Sequence, residues 1–71
     1  MTKFYGTIKH IFADKGYGFI LPEEKGADVF FHVTRYCGDT PFEDLKKGQR
    51  LAYHYEVRDN GKLRATQIFE I

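Results

Sequence analysis

Tryptophan is absent from this chain, cysteine occurs only once, and no long apolar run is present. The lone Cys37 excludes an internal disulfide and fits a reducing compartment. It lacks the Cys/His spacing of a zinc site, and no base or acid is arranged to activate it, so the thiol reads as inert. Nothing approaches the roughly 20 apolar residues of a membrane-spanning helix, and the first residues carry no apolar signal stretch. A cytoplasmic chain without membrane contact is therefore expected. An excess of charge of one sign is missing too, since 11 bases against 10 acids leave a formal +1. Coulomb attraction alone then binds a polyanion weakly, and other contacts must supply affinity and direction. Three histidines and ten carboxylates are scattered without a nucleophile–base pair or metal-ligand spacing. An enzyme is not expected, and no catalytic residue, metal, cofactor or small-molecule substrate is assigned.

Aromatic residues, by contrast, are plentiful. Seven Phe and five Tyr make 17% of 71 residues. One domain over residues 1–71 buries only about 60% of its unfolded surface, too little to enclose every ring. The charge is also uneven: residues 1–20 carry +2, residues 21–45 carry −4 and residues 46–71 carry +3.

Short segments rich in β-branched and aromatic residues, with turns about every ten residues, predict an all-β barrel or sandwich. Phe4–Phe12 reads as a first strand, broken by Ala13-Asp14-Lys15-Gly16. Tyr17–Leu21 is a second, ended by Pro22, which cannot donate to a ladder. Glu23-Glu24-Lys25-Gly26-Ala27 turns the chain into a third strand, Asp28–Val33. In the long connection from Thr34 to Gly48, Thr40-Pro41-Phe42-Glu43 has the form of a capping box. It predicts one helical turn through Lys47, stopped by Gly48. Arg50–Val57 is a fourth strand, Asp59-Asn60-Gly61-Lys62 a type I′ hairpin turn, and Leu63–Phe69 a fifth strand.

Side chains alternate across a strand, so parity sorts them. In Asp28–Val33 one face carries Val29, Phe31 and Val33, the natural core; the other carries Asp28, Phe30 and His32. In Tyr17–Leu21, Tyr17, Phe19 and Leu21 share a side, and parity alone leaves its direction open. An outward Tyr17 and Phe19 would let Gly18 pack its backbone tightly against a neighbouring layer. The short connection pairs strands two and three antiparallel. Tyr17, Phe19, Phe30 and His32 then merge into one platform bordered by Lys9 and Lys15. Rings interleaved with lysine suit single-stranded nucleic acid, because bases stack on the rings and cations track the phosphates. A stacked base is worth about 1–3 kcal/mol, so about three or four rings supply most of the roughly 8.2 kcal/mol of a micromolar affinity.

At these residues the chain resembles the cold-shock domain family, small five-stranded antiparallel OB-fold barrels. Lys15-Gly16-Tyr17-Gly18-Phe19-Ile20 matches the family's first ribonucleoprotein motif, K-G-[FY]-G-F-I. Asp28-Val29-Phe30-Phe31-His32-Val33 matches the second, D-[VI]-F-[VF]-H-[FV]. Gly6-Thr7-Ile8-Lys9 and Lys47-Gly48-Gln49 resemble the segments that open the first and fourth strands. The resemblance implies binding of single-stranded RNA and DNA, melting of RNA structure as an RNA chaperone, and a cold- or stress-related role in gene regulation. It carries nucleic-acid contacts to Lys9, Lys15, Tyr17, Phe19, Phe30 and His32, and to Phe42 as a further stacking ring at the edge of the site.

The chain also departs from the family pattern. After Lys9 the family usually has Trp-Phe-Asn, whereas here His10-Ile11-Phe12 follows. His10 offers a smaller platform, and Phe12 is either a compensating ring or a core residue shifted by a local bulge. Weaker binding is expected, with pH sensitivity if His10 or His32 touches the ligand. The alternative is an OB-type protein-interaction or self-association module. Its aromatic patch would be the contact surface, and its long loop would permit a strand-exchanged dimer in place of a monomer.

Overall fold

The computed structural model describes residues 3–24 and 26–71. Alternating β-branched and aromatic side chains favour a pleated backbone, and five strands form. They are β1 Phe4–Phe12, β2 Tyr17–Pro22, β3 Val29–His32, β4 Arg50–Val57 and β5 Leu63–Glu70. They close into a barrel in the order β1-β2-β3-β5-β4.

The bounds of β1 and β4 are those expected. β2 extends through Pro22, which stands opposite Gly6 at the strand end, where a missing N–H is tolerated. β3 is shorter than expected: Asp28 precedes it, and Val33 opens a 3-10 turn, Val33–Arg35. β5 runs one residue further, to Glu70. Lys25, in the turn expected between β2 and β3, lies outside the described residues, as do Met1 and Thr2. The expected barrel is present, with all seams antiparallel except β3–β5. There Val29 faces Leu63 and Phe30 faces Arg64 in parallel register.

Two local expectations are corrected. The β4–β5 hairpin is not a type I′ turn, because no described non-glycine residue, Asn60 included, has a positive φ. Instead the Arg58 N–H donates to the Lys62 carbonyl at 2.7 Å, the Gly61 N–H donates to the Arg58 carbonyl at 2.8 Å, and Gly61 alone takes φ +79°. This is the three-residue loop in which a type I turn ends on a left-handed glycine. The helical turn in the long loop is also shorter than expected. It is a 3-10 turn over Phe42–Asp44 capped by Pro41, and it stops well before Lys47. The capping box does not form because the Thr40 hydroxyl and N–H both donate to the Glu70 carboxylate.

Ile8, Ile20, Val29, Phe31, Leu51 and Ile68 fill the barrel and are sealed from solvent. Phe42 and Leu45 close one end of this core. The long loop is tied to β5. The Cys37 N–H donates to the Ile68 carbonyl at 2.8 Å, and the Tyr36 hydroxyl donates to Glu70 Oε1 at 2.9 Å. Burial first, then the hydrogen bond to Glu70, pushes the Tyr36 phenol up to about 12. The Glu70 carboxyl is held below its ordinary value, chiefly by the Thr40 N–H and then by the Thr40 and Tyr36 hydroxyls.

Candidate nucleic-acid interface

A β-bulge in β1 determines what the outer surface displays. Ile8 pairs with Ile20, but the next matched pair is His10 with Phe19, so Lys9 is the extra residue. A bulge shifts parity by one. Without it, His10 and Phe12 would follow Ile8 inward. With it, Ile11 packs against the core and Phe12 lies outside, 38% exposed. The open alternative for Phe12 is thus decided in favour of the surface, and by the bulge itself.

On the neighbouring strands, Gly18 and Ile20 of β2 and Val29 and Phe31 of β3 are buried, whereas Tyr17, Phe19, Phe30 and His32 are half-buried. Registers align these side chains in two rows across three strands. One row is His10–Phe19–Phe30 and the other is Phe12–Tyr17–His32. The rings are contiguous. Centroids of Phe12 and Tyr17 lie 5.3 Å apart, Tyr17 and Phe30 5.7 Å, and Phe19 and Phe30 5.8 Å. His10 stacks 6.4 Å from Phe12 at an interplanar angle of 25°.

Polar groups frame the rings. The Lys15 ammonium sits 5.8 Å from the centre of Phe12, a cation–π distance. The Lys9 ammonium forms a 3.0 Å ion pair with Asp28. The Thr34 N–H donates to Nδ1 of His32 at 3.2 Å, so Nδ1 accepts and the neutral ring carries its proton on Nε2. Beyond Phe30 the surface continues into a cleft of about 300 Å³ walled by Phe19, Asp28, Phe30 and Lys62. The described residues contain no group of three or more His, Cys, Asp or Glu side chains placed to hold a metal ion. They also contain no helix long and apolar enough to cross a membrane.

Comparison with known proteins decides the family. The family model described as 'Cold-shock' DNA-binding domain matches residues 4–71. The chain belongs to the cold-shock domain family. A cold-shock domain is a nucleic-acid-binding OB fold. This one is 39% identical over 67 residues to the major cold shock protein of Micrococcus luteus, covering 93% of this chain and 96% of that protein. It is 46% identical over 65 residues to a cold shock-like protein of Aquifex aeolicus, covering 92% of this chain and 90% of that one. Among solved structures, drosophila Unr CSD456 superposes with a TM-score of 0.78 over 99% of this chain and 27% of its own, at 21% identity. That likeness concerns the fold.

Eight of the nine side chains picked out in the sequence lie on or beside the two rows of this cold-shock domain. Phe42 does not. It is 7% exposed and packs on Phe31 at 5.9 Å and Tyr36 at 6.0 Å between centroids. Its expected place at the edge of the site is corrected to the core, because the 3-10 turn folds Phe42 and Leu45 inward against the barrel end. Two cations around the last hairpin are noticeable in the sequence but go unassigned there, because their register is open. Lys62 lines the cleft beside Phe30, and Arg64 stands in register with Phe30 across the parallel seam. Bases around the last hairpin were the available signal. The register that aims them depends on a pairing between strands more than thirty residues apart.

Proposed function

We propose that this cold-shock domain binds single-stranded RNA and DNA by stacking bases on His10, Phe12, Tyr17, Phe19 and Phe30. His32, Lys9, Lys15, Lys62 and Arg64 bond or neutralise the backbone. The observation that carries this reading is the pair of outward rows, four Phe and Tyr rings and two imidazoles across three strands. A surface this apolar, on a chain of net charge +1, suits flat uncharged bases flanked by phosphates better than it suits a duplex. In a duplex the base faces are already stacked on one another. Holding unpaired bases opposes RNA secondary structure, so the protein acts in the cytoplasm as an RNA chaperone or regulator of gene expression.

The test is a titration of labelled hexathymidine with wild type and with Phe30→Ala. One lost stacking contact of about 1–3 kcal/mol weakens binding roughly five- to 150-fold, while a duplex of the same length binds far more weakly than the single strand. Equal affinity for duplex and single strand, or an unchanged isotherm for Phe30→Ala, would remove the basis of the proposal.

A further inference from the structure

The row His10–Phe19–Phe30 does not end at β3. Across the parallel seam Phe30 stands in register with Arg64, and Arg64 in turn with Glu56 of β4. Ala65 is sealed in the barrel, so alternation along β5 turns Arg64 to the outer face that Phe30 occupies. Neighbouring strands lie about 4.7–4.9 Å apart. The half-buried Arg64 therefore rises directly beside the stacking ring.

Arg64 also differs from the two arginines of β4 and its hairpin. Arg50 bonds to Glu23, and Arg58 pairs with Glu56 at 3.6 Å. No ion pair of Arg64 is found among the described residues. Its fork of N–H donors is left for a ligand.

A base stacked on Phe30 extends past the ring toward both neighbouring strands. On the β2 side it meets Phe19, whose ring offers no donor. On the β5 side it meets Arg64. Lys62 shares the cleft with Phe30, but an ammonium is a point charge, whereas the planar guanidinium fits two adjacent acceptors at once. Guanine presents such a pair in O6 and N7. Adenine carries a donor beside N7, and thymine a methyl group beside O4. A phosphate drawn to the same place would face Glu56 across the β4–β5 pair and Asp28 in the cleft. Neither carboxylate repels the neutral edge of a base.

From these placements we infer that Arg64 makes the Phe30 position selective for guanine, its guanidinium donating to O6 and N7 of the base stacked there. Two of its five N–H donors are used in this way, and the others stay available to the backbone. The inference rests on the stacking reading above and adds a base preference to it. Single strands with a guanine at that position are bound in preference to uniform pyrimidine runs.

The experiment titrates the intact protein with hexathymidine and with hexathymidines in which one guanine, adenine or cytosine is moved through successive positions. At one position guanine tightens binding about fivefold or more, the gain of one bidentate pair; adenine and cytosine do not. At that position 7-deazaguanine, which keeps the stacking area but loses N7, binds about threefold or more weakly than guanine. Arg64→Lys keeps the charge without the fork. It brings the ratio of guanine to thymine affinity close to one, whatever it does to the absolute values. Should Arg64→Lys fail to fold, the 7-deazaguanine comparison on wild type still decides. No position with a guanine preference, an equal gain from adenine or cytosine, an unchanged gain with 7-deazaguanine, or a ratio that survives Arg64→Lys overturns the inference. Hexathymidine contains no guanine, so the two readings fail separately. An unchanged hexathymidine isotherm for Phe30→Ala removes the stacking reading. A weakened one without any guanine preference removes only the role of Arg64.

Discussion

A Cβ at Gly18 would stand 2.5 Å from the His10 carbonyl oxygen and 2.8 Å from the Phe31 ring. Neither neighbour is free to move, since one is backbone and the other is sealed in the core. Tyr17 and Phe19 therefore face outward because the residue between them must be small enough for Phe31 to lie beneath the strand. Gly18→Ala forces β2 away from Phe31 and is expected to destabilise the fold by about 1–3 kcal/mol, read as a lower urea midpoint with unchanged slope. A neutral substitution would mean that the strand is not held against Phe31. Phe42 supplies a contrasting test. Its ring fills the barrel end, so Phe42→Ala costs about 3–5 kcal/mol of stability while the variant that remains folded binds hexathymidine as wild type does. A large loss of affinity with little loss of stability would return Phe42 to the interface, where family resemblance alone had put it.

At the level of elements, the bulge at Lys9 and the clamp at Glu70 do different work. The bulge brings two residues of β1 onto the face shared with β2 and β3. The clamp holds the long loop to β5 through Tyr36 and Thr40, and its two titrating members bound the pH range of that attachment. Tyr36 has a folded value raised from 10.0 to about 12, so its contribution is complete below 10 and is lost as pH rises toward about 12. Glu70 is lowered from 4.5, so its contribution is complete above 4.5 and is lost as pH falls through the lower folded value. A spectrophotometric titration of the phenolate band should show one tyrosine lagging to about 12, and Tyr36→Phe should remove that phase. A single transition near the ordinary value would contradict the clamp. These elements also show how far the residues could be read in advance. β1 and β4 were legible because β-branched and aromatic runs end at glycine-bearing turns. The outward face of β3 was legible because Asp28 and His32 share parity with Phe30. The side chosen by Phe12 was not legible, since a bulge depends on how two strands fit. Neither was the capping of the 3-10 turn, because Thr40 finds its partner thirty residues away.

For the whole molecule, a net charge of +1 makes binding of a polyanion depend on which cations are free to leave their internal partners. Lys9 is held by Asp28 at 3.0 Å, directly beside the cleft that extends the ring platform. To take a phosphate, Lys9 must give up that pair, and Asp28 then remains as a negative charge near the ligand. An exposed ion pair is worth about 0–1 kcal/mol, so the obstacle is small but acts in the affinity range where stacking does most of the work. Asp28→Asn releases Lys9 and removes the opposing charge. Binding of hexathymidine should tighten up to about fivefold at low salt. The slope of log affinity against log salt should steepen by about 0.7, the increment for one further phosphate neutralised on a single strand. The comparison is made by repeating the isotherms of wild type and Asp28→Asn across a salt series. Tighter binding with an unchanged slope would mean that Asp28 only repels the ligand and that Lys9 carries no phosphate, leaving Lys15, Lys62 and Arg64 as the tracking cations.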